Sequence, residues 1–431
     1  MPCVPRGCRR GGQAARIRGP SLSQSEFVIT KNPMTAAERR AVLSLALLYN
    51  VRMLGLFMVL PLLALYAADY RGATPALIGL ALGIYGLSQA LLQVPLGWLS
   101  DRIGRKPVIV GGLLVFALGS LLAAWSESIH GIVLGRLLQG AGAIASSIMA
   151  LVADLTSDEQ RTKAMAIVGA SIGLAFAVAL VLGPLLAAFG GLDLVFALTA
   201  VLAILGMLVL WRIPEPARGP SAESTSPRGS LFRRALRDPA LLRLDAGIFT
   251  LHSVLMALFL VLPGLIEGLA GVPRDQHWQV YLPVILLSVL GVVPMMRLAE
   301  RGGRPAPVFL AAILALVVAL VALGLAASGW TIYLAAWLFF VGFNYLEATL
   351  PSMVSKAVFP GGRGTALGIY STAQFLGIFV GGALGGWLLQ HYGSQSVLLF
   401  CVGLCGLWCL FALPRHGQQA AAEEALTSKA R

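Results

Sequence analysis

Gly97-Trp98-Leu99-Ser100-Asp101-Arg102-Ile103-Gly104-Arg105-Lys106-Pro107 is a basic, turn-forming island between two long apolar runs. A run of about 20 apolar residues matches the hydrocarbon core of a bilayer. Inside that core a helix satisfies its own backbone groups. Two spanning helices meeting at a tight, positively charged hairpin is the simplest reading. The rest of the chain repeats this plan. Only 12% of its 431 residues are charged and 58% are hydrophobic, whereas soluble domains are roughly one quarter charged. The formal net charge of +13 sits in short loops between apolar runs, which argues for membrane topology and against a nucleic-acid partner.

Twelve apolar runs are legible on the length criterion. Those of the first half cover about 42–66, 76–99, 108–125, 129–153, 163–189 and 192–211; those of the second cover about 243–266, 278–299, 306–327, 330–354, 365–389 and 394–413. The domains expected are a tail at 1–40, a bundle at 41–212, a linker at 213–240, a second bundle at 241–414 and a tail at 415–431. The linker exchanges Leu and Val for Pro, Ser, Arg and Gly, with a short amphipathic helix at 231–236. Residues 1–33 lack a secretory apolar core. They read as a disordered tail or as an upstream mis-start before Met34. Lys and Arg crowd every second loop, which places the basic loops, the linker and both termini in the cytoplasm. Asp69, Asp193, Glu267 and Asp275 fall near the outer ends and read as solvated. Cys401, Cys405 and Cys409 share one helix face, which suits packing rather than a metal.

The halves also repeat in sequence. Arg297-Leu298-Ala299-Glu300-Arg301-Gly302-Gly303-Arg304 is a degraded copy of the 97–107 island, with Glu300 at the place of Asp101. Arg161 to Ile167 matches Arg363 to Ile369 at nearly the same offset, so the duplication is real.

Gly97-x-Leu99-Ser100-Asp101-Arg102-x-Gly104-Arg105-Lys106 resembles the G-x-L-a-D-r-x-G-r-k signature of the major facilitator superfamily, between its second and third helices. Arg136-Leu137-Leu138-Gln139-Gly140-Ala141-Gly142 resembles its second motif, on the fourth helix. The resemblance covers roughly residues 34–413. It is nearest to bacterial proton-driven, drug-efflux-type members, on Arg39-Arg40, on Arg52-Met53-Leu54-Gly55 with Phe57 to Pro61, and on His277-Trp278 with Tyr281-Leu282. It implies an all-α membrane protein of twelve helices in two pseudo-symmetric six-helix bundles. It further implies a monomer in a bacterial inner membrane, without a cofactor, drawing on a proton gradient. Two departures stand out. The individual member it most resembles carries a soluble C-terminal domain, whereas this chain stops soon after its last span; and Gly183-Pro184 resembles the antiporter motif, but Ala187-Ala188 replaces its trailing glycine pair.

The candidate residues fall into three groups. Gly97, Gly104, Asp101, Arg102, Arg105, Lys106 and Asp154 form the expected gate. Arg105 is placed to pair with Asp154, and the resemblance implies that Asp101 meets the start of the eleventh helix near Gly364. The alternative is that the cluster only sets topology. Arg136, Arg52, Glu347 and His252 are the candidates for proton coupling, because ionisable groups inside spans are expensive and tend to be functional. Imidazole titrates near neutrality. Each has a plainer alternative as a helix-to-helix hydrogen bond, and for Arg136 that alternative is bonding to carbonyls and Gln139. By resemblance the first, fourth, seventh and tenth helices line the cavity. They offer Phe57, Met58, Gln139, Met149, Met256, Phe259, Phe343 and Asn344, with Phe340 and Tyr345 beside them. Adaptable apolar walls suit a hydrophobic or amphipathic substrate. Proton-coupled efflux by alternating access is the leading expectation, with a metabolite symporter or facilitator, or a membrane receptor, as alternatives. The chain has no Walker sequence, Cys/His metal spacing or Ser–His–acid set that would suggest an enzyme.

Overall fold

A backbone without water must bond to itself, and the apolar runs are all helical. The computed structural model describes residues 34–215, 228–359 and 362–412. Expectations about residues 1–33 and 415–431 lie outside them. The helices are α1 (Ala36–Tyr66), α2 (Pro75–Ile103), α3 (Arg105–Ala124), α4 (Ile129–Ala141), α5 (Ala145–Asp154), α6 (Asp158–Trp211), α7 (Arg228–Ala235), α8 (Pro239–Ala270), α9 (Trp278–Glu300), α10 (Pro305–Gly324), α11 (Gly329–Ala357) and α12 (Arg363–Ala412). Ordinary caps start several of them: Thr74 before Pro75, Ser128, Asp238 before Pro239, and Ser328.

Ten helical stretches are long and apolar enough to cross a membrane. Two of them are too long to cross once. α6 has 54 residues and α12 has 50. At 1.5 Å per residue each is roughly 75–80 Å long, against a hydrocarbon core of about 30 Å. Each folds back on itself at glycine. Gly191 has φ 62° and Gly393 has φ 79°, values that side chains disfavour. The described residues therefore make twelve crossings, and two of the expected loops shrink to glycine hinges.

The fourth crossing is not the continuous helix expected at 129–153. It breaks between α4 and α5, at Gly142 to Ile144. The break leaves the Gly142 carbonyl without a helical partner, and Arg52 Nη2 donates to it at 3.2 Å.

In the first half α1 packs on α6, and α3 packs on α4 and α6. In the second, α8 packs on α12 and α11 on α9 and α10. The halves meet mainly through α2 and α12, with smaller contacts of α1 on α8 and α6 on α9. Glycine makes this possible on two faces of α12. Gly377 and Gly381 lie against the α8 backbone at Phe249 and Ser253, while Gly382 and Gly386 lie against Gly79 of α2. A Cβ added at Gly382 would sit 2.6 Å from the Gly79 carbonyl oxygen. Between spanning helices, small residues and close van der Waals contact replace the hydrophobic effect.

These approaches involve Gly79 to Gly86 of α2 and Phe375 to Gly386 of α12. They run from the end of the molecule away from the 97–107 hairpin, at Gly79 and Gly386, to mid-helix, where Gly86 meets Phe375. At the hairpin end, Gly364 and Gly368 face open space, and Leu91, Pro95 and Trp98 of α2 are exposed. The bundle is closed at its far end and open toward the hairpin. Trp125, Trp211 and Trp330 stand exposed at helix ends, where an aromatic belt meets the membrane interface.

Candidate functional site

The hairpin is a network centred on Arg105. Gly104, at φ 104°, ends α2 and starts α3 within one residue. The turn brings Arg105 onto Asp101. Its Nε donates to Asp154 Oδ2 at 3.1 Å, and its Nη1 donates to Ser100 Oγ at 2.8 Å. Three helix ends (α2, α3 and α5) are thus tied by one guanidinium, whose planar fork suits several acceptors at once. Gly97 lets α5 approach, since a Cβ there would lie 3.1 Å from Ser146 Oγ. Arg102 is exposed, and Lys106 lines a surface cavity with Trp211 and Glu215.

Arg52 and Arg136 are buried in the interior of the first half. Arg52 Nη2 donates to Tyr85 Oη at 3.3 Å, to Gln89 Oε1 at 3.0 Å and to the Gly142 carbonyl. Arg136 Nε donates to the Ala81 carbonyl at 3.2 Å and its Nη1 to Gln139 Oε1 at 2.8 Å. Gln139 in turn donates to Ser120 Oγ at 2.8 Å, so it belongs to this network and not to a cavity wall. The two guanidiniums share Tyr85, one on the hydroxyl and the other over the ring at 5.0 Å. Among the described residues neither has a carboxylate partner. Arg136 therefore sits in the plainer arrangement, bonded to a carbonyl and Gln139. Among the described residues, Arg52 Nε and Nη1 and Arg136 Nη2 have no hydrogen-bond partner.

In the second half the fold brings His252 of α8, Glu347 of α11 and Gln374 of α12 together. His252 Nε2 lies 3.8 Å from Glu347 Oε2 and 2.8 Å from Gln374 Nε2. Gln374 Nε2 also donates to Glu347 Oε1 at 3.5 Å. His252 Nδ1 faces the Ile248 carbonyl at 3.3 Å. With a proton on Nδ1 the imidazole is neutral, and its Nε2 accepts from the Gln374 amide. A second proton on Nε2 would turn that side toward Glu347 and require the amide to present its oxygen. The three side chains can therefore hold two arrangements that differ by one proton.

Sequence reasoning missed Gln374, a neutral amide in an apolar run. It also missed Asp245, buried seven residues before His252 on α8. That spacing places Asp245 and His252 on one helix face. Tyr370, one turn before Gln374, has a buried hydroxyl without a partner among the described residues and lies within electrostatic reach of both Glu347 and Asp245.

The cavity residues divide. The Phe57 ring meets Phe176 edge-on at 5.1 Å, Phe176 lies 6.5 Å from Phe340, and Phe340 lies 6.3 Å from Phe343. This aromatic seam runs from α1 through α6 to α11 and so crosses between the halves. Phe343 also lies 5.9 Å from His252. Met58, by contrast, is wholly buried, with its backbone against Gly183 of α6. The physical reason is the helical turn of about 100° per residue: Phe57 and Met58 cannot both face one cavity. Met256 and Phe259 are likewise core, Phe259 packing near Tyr281. Asn344 donates to Ser288 of α9 at 2.9 Å and is a strut within its own half. Met149 and Tyr345 are half-buried and buried respectively.

At the far end, Arg274 Nη1 donates to Asp69 Oδ2 at 3.4 Å and its guanidinium lies over the Tyr66 ring at 4.7 Å. The Ala76 N–H donates to Gln390 Oε1 at 3.1 Å. These contacts tie the halves across the closed end. Tyr70 donates to Asp193. Burial, followed by that carboxylate, raises the Tyr70 hydroxyl above its ordinary range. Asp69 and Asp193 are thus partnered rather than merely solvated.

A twelve-crossing helical bundle, closed at one end and carrying ionisable groups inside the membrane, is the architecture of a membrane transporter. Residues 45–291 and 257–430 match the family described as Major Facilitator Superfamily. The chain belongs to that superfamily. It is 48% identical over 382 residues to the inner membrane transport protein YajR of Escherichia coli K12, covering 88% of this chain and 84% of the relative. It is 26% identical over 345 residues to multidrug resistance protein MdtH of Aeromonas salmonicida, covering 80% and 86%. The crystal structure of a D-xylose–proton symporter shares the fold, with a TM-score of 0.73 at 16% identity over 88% of this chain and 97% of the other.

Proposed function

We propose that the protein is a proton-coupled exporter of hydrophobic or amphipathic small molecules, working by alternating access in an inner membrane. The observation that carries this reading is the contact of His252, Glu347 and Gln374 within the membrane-embedded second half. It lies beside an aromatic seam from Phe57 to Phe343 that bridges the halves. A proton that rearranges the triad changes the wall against which an apolar substrate packs, and such differential contact is what couples two bound species. The similarity to the inner membrane transport protein YajR supports membrane transport, and that to the multidrug resistance protein MdtH supports drug-like cargo.

In this reading the basic hairpin end is cytoplasmic, by the excess of Lys and Arg in its loops. The open end then takes cargo from the cytoplasm. The rocking units are residues 41–212 and 241–414, joined by the linker at 213–240. The protein acts as a monomer without a cofactor. The hairpin cluster of Asp101, Arg105 and Asp154 stiffens the first unit at its cytoplasmic rim and forms the latch that closes on α12. Arg52 and Arg136 hold α1 and α4 to α2.

The test is transport of an amphipathic cation in proteoliposomes, with a pH gradient of either sign. Export driven by proton entry is expected for the wild type, with loss of that drive in Glu347→Gln. Uptake in the same direction as the proton would replace export by symport. Indifference to the gradient would remove the coupling.

A further inference from the structure

The linker ends in a basic helix that the transport reading does not use. α7 is followed within a turn by Asp238, which caps α8 by accepting from the Ala240 N–H at 2.9 Å. Leu231 and Ala235, four residues apart, are buried and pin α7 to the bundle. Phe232 and Leu236, on the neighbouring face, are exposed. Arg233, Arg234 and Arg237 line an open cavity of about 550 Å³ with Ser230, Asp238 and Pro239.

Arg234 is held in place, its guanidinium 4.3 Å above the Phe359 ring. That contact orients the fork without neutralising it. Among the described residues, no carboxylate pairs with Arg233, Arg234 or Arg237. The one acid in the wall, Asp238, is engaged with the start of α8. Three cations gathered around one cavity repel one another until an anion joins them.

The position says which anion. α8 enters the membrane immediately after the cavity, so α7 lies at the interface. Exposed Phe232 and Leu236 stand beside the arginines. Basic and apolar groups side by side at this depth match a molecule with a phosphate head and acyl tails.

We infer that Arg233, Arg234 and Arg237 bind the phosphate of an anionic phospholipid, with Phe232 and Leu236 against its acyl chains. The site is separate from the His252–Glu347 contact, so it stands or falls independently of proton coupling. The test is thermal unfolding of the full chain in neutral detergent, titrated with phosphatidylglycerol, phosphatidylcholine or inorganic phosphate. Phosphatidylglycerol should stabilise the wild type, and the other two should not. Each arginine removed should lower apparent affinity about fivefold, so Arg233→Ala with Arg237→Ala should lower it about 25-fold. Arg301→Ala with Arg304→Ala, a charge-matched change at exposed arginines of another loop at the same end, should leave it unchanged. The inference is overturned if the 233/237 double variant binds phosphatidylglycerol like the wild type, or if the 301/304 double variant weakens it equally. It is also overturned if inorganic phosphate reproduces the stabilisation, which would make this a free-anion site. Both arginines are exposed, so folding should survive; Arg233→Lys with Arg237→Lys, keeping the charge, should retain most of the binding and provides the folded control.

Discussion

The two halves share a fold but bury different kinds of ionisable group. Among the described residues, the first half buries Arg52 and Arg136, and the second buries Asp245, His252 and His277 with Glu347 half-exposed. A guanidinium does not lose its proton in a protein. Imidazole and carboxylate gain and lose theirs under ordinary conditions. The first half therefore carries fixed charge held by neutral acceptors (Tyr85, Gln89, Gln139 and two carbonyls). The second carries charge that can change. A duplicated bundle has been divided into a rigid frame and a switchable one.

The largest effect expected from that division is at Glu347. Glu347→Gln removes the carboxylate facing His252 while keeping the side chain's size. Gradient-driven transport should be lost, while thermal stability stays within about 1 kcal/mol of wild type, since the group is partly exposed. Proteoliposome flux with and without a pH gradient checks the first statement, and unfolding in detergent checks the second. Arg136→Met should do the reverse in kind. It leaves Gln139 Oε1 without its donor and the Ala81 carbonyl with only its helical one, at about 1–3 kcal/mol for the unsatisfied buried group. Stability should fall by about 1–3 kcal/mol, with gradient dependence retained in whatever protein folds. If Arg136→Met folds normally and loses only its response to the gradient, the frame-and-switch division is wrong.

How far this contrast was legible in the sequence depends on the range of the interactions. The spans were legible because the bilayer makes every long apolar run a helix. The hairpin was legible because Asp101, Gly104 and Arg105 lie within five residues. The partners of Arg52 were not, because Gln89 and Gly142 are 37 and 90 positions away. Gln374 and Phe176 carried no signal, one being neutral and the other aromatic in apolar runs where such residues ordinarily pack. The cavity set failed in part because neighbouring residues such as Phe57 and Met58 point in different directions on a helix. The folds of α6 and α12 were hidden in single glycines, whose role depends on φ rather than on hydropathy.

A smaller effect separates the two hairpins that the duplication produced. Arg105 ties Asp101 to Asp154 and Ser100. Glu300, the counterpart of Asp101, has no ion pair among the described residues, and Arg304, the counterpart of Arg105, begins α10 without a side-chain cap. Asp101→Asn should therefore slow transport about tenfold at matched expression, the effect of losing roughly 1.4 kcal/mol from one conformational state. Glu300→Gln should change it less than twofold. Equal losses, measured as initial rates in the same vesicles, would mean that the first hairpin is no special latch.

The smallest effect belongs to the far end, where Arg274 meets Asp69 and Tyr66. Both charged groups are largely exposed, so the pair is worth about 0–1 kcal/mol. The glycine contacts of α2 with α12 do more to keep this end shut, because they exclude any intervening side chain. Asp69→Asn should consequently shift the balance between end-open states by no more than about fivefold. Gly382→Val, which places a branched side chain against the Gly79 carbonyl, should abolish closure. Thiol labelling of a cysteine introduced at Phe379 reads both, through access from the far side. If Asp69→Asn opened this end as fully as Gly382→Val, the lock would be electrostatic and the glycine faces merely permissive.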